Sequence, residues 1–539
     1  MAQPITPAQL DDLFNGSAPF ALVDVREAGE YNASHIPGSS LMPRRMLEFD
    51  LPVAIPHIDS LTVLCDDDGQ RVAKAVATVE AMGYSNVGWL DGGVNRWMSL
   101  DYPTEWGVNV PSKDFGEKVE VVHHVPEIDA IELRSRMDLG EKMVILDTRT
   151  PEEYRRFCIP GGQSLPGGEL ALRITDVTAD LDPDTTVVIN CAGRTRSIIG
   201  TRILQRMGLD RDIVGLKNGT SGWVLAGYEL ESGADRDELP QVSAEGRAAA
   251  EAYADRCAAE DGVDFLDVVG LERLAERSRS ETVYFIDVRT AEEYAAGHIP
   301  GFRWFPGGQC VQRSDDVAVV KNAPLVFCCD GRARAALTGS WYRQLGHGEV
   351  YALNGGTEAW AVAGKSLESG RNVGARFDGS IGGAGEPELV TAARNSVPSI
   401  TAQELESDRP DAILFVDTSQ DFSRGHVPGA HWVPRGWLEW QVAEHVASED
   451  ARVVVTCGDG RQSLLAAATL QSMGFTNVGV LDGGVASWRA AGLPVETGLS
   501  GVMRTPADVV FSGPDRTYAD MQNYLRWEEQ LGDKYAAAD

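Results

Sequence analysis

Short apolar runs of four or five residues, such as V-V-I-N before Cys191 and L-V-F-C before Cys329, alternate along this chain with longer stretches whose apolar positions recur at helical spacing. Runs of that length between turn residues read as strands, and their alternation with helices predicts a mostly parallel sheet covered by helices. The pattern comes in four successive blocks. Each block opens with an apolar run closing on aspartate (Asp24, Asp147, Asp287, Asp417) and passes through a Pro-Gly punctuation at His35, Cys158, His298 and His426. A second run ends in cysteine (Cys65, Cys191, Cys329, Cys457), and a glycine turn with a tryptophan closes the block (Trp97, Trp223, Trp360, Trp488). The landmarks keep their order, which predicts four tandem α/β domains at residues 1–107, 123–230, 263–368 and 397–498, each a small mostly parallel sheet flanked by helices, and a helical tail at 499–539.

The copies are unequally alike. The first and fourth share P-R-x-x-L-E (from Pro43 and Pro434), and the second and third share P-G-G (from Pro166 and Pro306) and a loop reading C-x-G-R-x-R, so the array is A-B-B-A in type. A central pair of copies two and three, flanked by one and four, is expected. Glu229–Val242, polar, and Ser369–Glu388, polar and glycine-rich, read as connectors that open first to protease. Ala244–Ala259 reads as a helix between copies two and three, and Tyr518–Leu531 as a terminal helix docked on one of the domains.

Charge narrows the partners. With 80 acidic against 48 basic side chains the formal net charge is -32, which opposes binding to nucleic acid or to anionic membrane surfaces, so any bound anion needs a local site. No signal-peptide pattern or long apolar span stands out, and a cytoplasmic location is expected. Eight cysteines show no zinc-like spacing and are too sparse for a disulfide scaffold, so reduced thiols and no zinc site are expected.

The candidate chemistry lies where the second run of each block ends, because sites in open α/β sheets form at the carboxyl ends of strands. A loop from Cys191 to Arg196 that closes on a helix start aims successive backbone N–H groups at the sulfur. Such a nest holds an anion and lowers a thiol pKa from about 8.5 toward 7 or below. Cys191, Cys329 and Cys457 are the candidate nucleophiles. Arg194, Arg196, Arg332, Arg334 and Arg461 are the candidate donors to an anionic substrate. Cys328, beside Cys329, reads either as a resolving thiol or, the favoured reading because neighbouring strand residues point apart, as an inert residue on the opposite face, and Cys257 and Cys310 carry no motif.

On D-x-R, H-I-P-G, the strand-ending cysteine with its arginine-bearing loop and the G-G-x-x-x-W close, these units resemble rhodanese domains, the sulfurtransferase family. The resemblance implies transfer of sulfane sulfur from thiosulfate or a persulfide donor, through a cysteine persulfide, to a thiol or cyanide. It implies a small anionic donor and a thiol acceptor as partners, without a cofactor; the oligomeric state is left open. The loops differ from the C-G-S-G-V-T form associated with mercaptopyruvate as substrate. The histidine replaced by Cys158 in copy two reads as structural.

Two copies depart from the pattern. Copy four has Ser419 where the others have Arg26, Arg149 and Arg289, and Gln462 where Arg196 and Arg334 close the loop. Copy one, C-D-D-D-G-Q-R, reads as a loop one residue longer than its siblings, with Cys65 deactivated by three aspartates. That length resembles cysteine phosphatases and arsenate reductases and gives the alternative activity. A non-catalytic binding scaffold is the alternative of another class.

Overall fold

The structure, a computed structural model, describes residues 2–370, 374–375, 381–382, 386–500, 502 and 505–536. Each of the four copies builds a five-stranded parallel sheet flanked by helices, as the periodicity predicts. In the second copy the strands lie in the order Glu127–Ile128, Ile213–Leu216, Thr186–Asn190, Met143–Asp147 and Gln163–Ser164. The other copies repeat that order. Central strands are covered on both faces, which is why they read as continuous apolar runs and not as alternation. The first sheet also takes in Val320–Lys321 from the third copy, paired antiparallel with Phe20 and Ala21.

The motif residues turn out to be mostly structural. The closing tryptophans Trp97, Trp223 and Trp488 are buried, and in all four copies the indole N–H donates to the carbonyl six residues on, that of Pro103, Glu229, Ser366 or Pro494, at 2.7–2.9 Å. His35, His298 and His426 stack on Tyr31, Tyr294 and Phe422 with ring centroids 3.6–3.9 Å apart, and Cys158 is buried beside Tyr154 in the same place. The last glycine of each turn is forced by close approach. At Gly484, with φ +61°, a Cβ would stand 2.3 Å from the Cys457 carbonyl oxygen. Only glycine tolerates both that contact and that backbone conformation.

Like copies pack on like. Copies two and three meet through their Pro-Gly-Gly loops, where a Cβ on Gly168 would lie 3.0 Å from the Gly308 nitrogen, and Arg334 reaches across to Glu169 at 2.7 Å. Copies one and four meet directly through their shared P-R-x-x-L-E segments. Arg44 donates to Glu439 at 2.7 Å and Arg435 to Glu48 at 2.9 Å, a reciprocal exchange of buried ion pairs. The flanking copies are thus a second pair. One apolar core runs without a break through copies one to three, joining Leu64, Ile189 and Phe327.

Three linker helices, Val110–His123, Ala244–Asp261 and Glu388–Ser396, each lie along the helix that follows the cysteine loop of the next copy. Glu229–Val242 is not a loose connector. Arg236 donates to the Gly162 carbonyl and to Glu231, and Leu239 and Val242 pack on the core. Most of the other expected connector, Ser369–Glu388, lies outside the described residues. No helix among the described residues is long and apolar enough to cross a membrane.

Candidate functional site

The backbone fixes which residue holds the nucleophile position in each copy. The carbonyls of Cys191, Cys329 and Cys457 accept the N–H groups of Thr220, Thr357 and Val485, all at 2.9 Å. In the first copy the equivalent donor, Val94, binds the carbonyl of Asp66 at 2.8 Å. Asp66 therefore stands where its siblings have cysteine, and Cys65 is the last residue of the strand. Cys65 pairs across the sheet with Asp24, as Asn190 does with Asp147 and Cys328 with Asp287. Its side chain packs on the opposite face, among Leu22, Val63 and Leu90, just as Cys328 packs away from Cys329. The first loop is thus no longer than the others, and it carries no thiol. Sequence held one usable signal: Gly69 follows Asp66 by three positions, as Gly460 follows Cys457, and both are left-handed residues opening a helix.

The loop is a nest of N–H donors that Asp66 fills, although burial outweighs those donors and pushes its carboxyl up. Its Oδ1 accepts the Gly69 N–H at 2.5 Å and its Oδ2 the Val72 N–H at 2.8 Å. In the fourth copy the sulfur of Cys457 accepts the corresponding N–H groups, from Gly460 at 3.1 Å and Ser463 at 3.3 Å. Gly193 and Ser197 serve Cys191 in the same way, and Gly331 and Ala335 serve Cys329. The resting thiols are nevertheless not acidic, contrary to the sequence expectation. Burial pushes Cys329 and Cys457 up to about 12, with Asp417 adding to the effect at Cys457, and pushes Cys191 up as well. Desolvation of the thiolate outweighs the dipoles of the loop. Burial, ahead of Asp24 and the loop aspartates, likewise pushes Cys65 well up.

Most of the loop arginines are engaged within the protein. Arg196 closes on Glu153 at 2.6 and 2.9 Å, and Arg334 on Glu293 at 2.7 and 2.8 Å. Arg71 closes on Glu30 in the same way at 2.7 and 3.0 Å. These pairs tie the loop to the capping glutamate of the preceding helix. Arg194 is held by Glu117 at 2.6 and 2.9 Å, and Arg332 reaches Asp255 at 3.0 Å. Arg461, beside Asp459 at 2.7 Å, lies on the wall of a large cavity.

The fourth copy also departs from its siblings in register. In the others a buried fork joins Arg26 to Asp24, Arg149 to Asp147 and Arg289 to Asp287. The Val433 N–H donates to the Phe415 carbonyl as those of Met42, Leu165 and Phe305 donate to Asp24, Asp147 and Asp287. The Trp432 indole donates to the Asp417 carbonyl as that of Trp304 donates to Arg289, both at 2.8 Å. Asp417 therefore occupies the arginine position and Phe415 the aspartate position. Ser419, expected at the arginine position, lies two residues further on and binds Asp508. The eleven-residue interval from Asp24 to His35, kept from Phe415 to His426, is the signal that identifies this register. Asp417 accepts the Gly458 N–H at 2.7 Å, which sets a carboxylate beside the Cys457 loop.

The outer sides of the three cysteine loops differ most. The helix Tyr518–Gln530 lies over the Cys191 loop: Glu528 accepts the Thr195 hydroxyl at 3.0 Å, and Leu525 and Tyr524 lie against Gly193. The Ala244–Asp261 helix lies over the Cys329 loop, pairing Arg247 with Asp330 and Asp255 with Arg332. The Cys457 loop instead borders a cavity of about 660 Å³, walled by Arg45, Met46 and Phe49 of the first copy and Arg313 and Asp315 of the third. Gly458, Asp459, Arg461 and Gln462 form the wall on the cysteine side.

If the tail is what closes Cys191, deleting residues 513–539 should speed its labelling by iodoacetamide at least about tenfold and leave Cys329 unchanged, because covered groups react through local opening. Peptide-resolved labelling checks this. Equal Cys191 rates in the two proteins would count against the helix as the cover.

A family model described as a rhodanese-like domain matches residues 6–100, 129–226, 271–363 and 398–491. A crystal structure of thiosulfate sulfurtransferase from Pseudomonas aeruginosa superposes over 100% of this chain and 98% of its own, with a TM-score of 0.87 and 35% sequence identity. Thiosulfate sulfurtransferase of Azotobacter vinelandii is 26% identical over 245 residues, covering 38% of this chain and 89% of that protein. The probable adenylyltransferase/sulfurtransferase MoeZ of Mycobacterium tuberculosis is 34% identical over 99 residues, 18% of this chain, and the match spans 25% of its length.

Proposed function

The chain belongs to the rhodanese-like family, and from that premise we propose that it is a sulfurtransferase whose working nucleophile is Cys457. All three thiols are themselves buried, and the surroundings of the Cys457 loop are the observation that carries the reading. Of the three cysteines at the nucleophile position, Cys457 has the loop that borders a cavity large enough for a substrate, whereas a helix lies over each of the other two. The likeness to thiosulfate sulfurtransferases supports thiosulfate as one donor.

The chemistry balances without a cofactor. The Cys457 thiol gives its proton to solvent water, and the thiolate attacks the outer sulfur of thiosulfate. The S–S bond of the donor breaks, sulfite leaves with the bonding pair, and Cys457 carries a persulfide anion. The N–H groups of Gly460 and Ser463, already directed at the sulfur, stabilise that charge. In the first copy the N–H groups at the equivalent two positions, Gly69 and Val72, hold the Asp66 carboxyl, which burial nevertheless pushes above the usual carboxylate range. An acceptor thiolate then attacks the outer sulfur and releases the Cys457 thiolate, which regains a proton.

In this reading Arg461 and Arg45 are the cations that meet an anionic donor, while Arg196 and Arg334 brace their loops. The phosphatase alternative rested on a longer first loop, and with Asp66 at the nucleophile position that basis is gone. The scaffold reading fits the first copy, which gives the fourth one wall of its cavity.

Exposure to thiosulfate followed by peptide mass mapping tests the proposal. One added sulfur is expected on the Cys457 peptide and none on the Cys65 peptide. Sulfur found on Cys191 or Cys329 alone would overturn it.

A further inference from the structure

The cavity beside Cys457 has the wrong sign for a site built only around dianions. Six aspartates and three arginines line it. Each arginine has one carboxylate partner: Arg45 pairs with Glu27 at 3.0 Å, Arg313 with Asp316 at 2.7 Å and Arg461 with Asp459 at 2.7 Å. Asp417 and Asp315 have no such partner among the described residues. The first accepts the Gly458 N–H, and the second accepts the Asn109 amide at 3.1 Å. A third acceptor joins them. Gln462, buried and on the wall of the same cavity, donates its Nε2 to the Arg45 carbonyl at 2.9 Å, which fixes the orientation of the amide and leaves Oε1 without a donor. Buried acceptors without donors are costly and mark places where a ligand can supply N–H groups.

Asp417 sharpens the point because of its position. Copies one to three put an arginine there, locked in a fork with aspartate, and the fourth puts a carboxylate next to the nucleophile loop. That change makes the thiolate harder to form and so works against loading by an anion. It stabilises a cation held near the outer sulfur of a persulfide.

We propose that the acceptor for the Cys457 sulfur is a low-molecular-mass thiol bearing an ammonium group, seated with its cation against Asp417 and the free Oε1 of Gln462. The inference rests on Cys457 as the sulfur carrier and adds the class of acceptor. The acceptor thiolate attacks the outer sulfur, the S–S bond to Cys457 breaks, and the new persulfide leaves with its ammonium still charged. Burial pushes Asp417 up and pushes Asp315 up to about 6, and a bound cation restores the charged form of both.

The test uses full-length protein first loaded with thiosulfate, desalted and checked by mass for sulfur on Cys457. Single-turnover unloading is then compared for cysteamine, 2-mercaptoethanol and mercaptoacetate, with rates expressed per thiolate. Cysteamine should exceed mercaptoacetate at least about tenfold, and the ratio should fall below about threefold in Asp417→Asn, the size expected when one nearby charge is removed. Asp315→Asn, farther from the loop, should reduce the ratio less. Charge-blind unloading of wild-type protein, or a ratio unchanged in Asp417→Asn, would overturn the acceptor class while leaving the carrier in place. Sulfur on Cys191 or Cys329 in place of Cys457 would remove the carrier and the acceptor class together.

Discussion

Cys457→Ser should lower thiosulfate-to-thiol sulfur transfer by at least about 10³-fold, since a hydroxyl forms no persulfide and the covalent route closes. The double replacement Cys191→Ser with Cys329→Ser should retain at least about a third of the activity, because a helix lies over the loop of each. The contrast between the two proteins is decisive. Activity that survives in the first and vanishes in the second would return the chemistry to the paired-arginine loops. A pH series on resting protein gives an independent check. Burial holds the Cys457 thiol up at about 12, so the thiolate fraction grows through the whole range from pH 6 to 9. Iodoacetamide labelling of Cys457 should rise about tenfold per pH unit there, and a plateau near neutrality would contradict a buried, protonated resting thiol.

The four-copy parallel-sheet architecture was legible because it rests on long-lived signals: doubly buried strands that read as apolar runs, and turns whose glycines cannot be replaced. The site was legible only as a set of letters. A cysteine one residue early on a strand points to the other face, so Cys65 matched the motif in the alphabet and missed it in space. Asp417 matched the first residue of D-x-R while standing in the place of the arginine. In both cases a spacing to a residue with a fixed backbone role, Gly69 or His426, carried the correct register. Access was not legible at all. The Thr195 to Glu528 contact spans 333 positions, and no local pattern foretells which loop a distant helix will cover.

The reciprocal exchange between the first and fourth copies gives the copy without a nucleophile a structural part. The Arg45 carbonyl accepts from Gln462 on the nucleophile side and also from Arg435, so the cavity wall is held by residues of both copies. The Arg71 guanidinium meanwhile stacks 3.9 Å from the Trp437 ring, on the other side of the pairing.

Arg435→Ala should therefore destabilise the protein by about 3–5 kcal/mol, the cost of leaving one member of a buried ion pair without its partner. Side-chain exposures of 8% for Arg435 and 7% for Glu48 place the pair well out of water, so little of that cost is recovered by hydration. The Arg45 carbonyl also loses a donor, which adds a smaller hydrogen-bond term of about 1 kcal/mol. Removing both charges with Arg435→Met and Glu48→Leu should cost less than half as much, because two apolar groups of similar bulk carry no desolvation penalty. Urea unfolding of the four members of this double-mutant cycle measures the coupling directly. A loss below about 1 kcal/mol for Arg435→Ala, or strictly additive single replacements, would show that the pairing of copies one and four does not depend on this exchange. The same variant links stability to chemistry: without Arg435 the wall carrying Arg45 loosens, and unloading of the Cys457 persulfide should lose its preference for the ammonium-bearing thiol before the fold is lost.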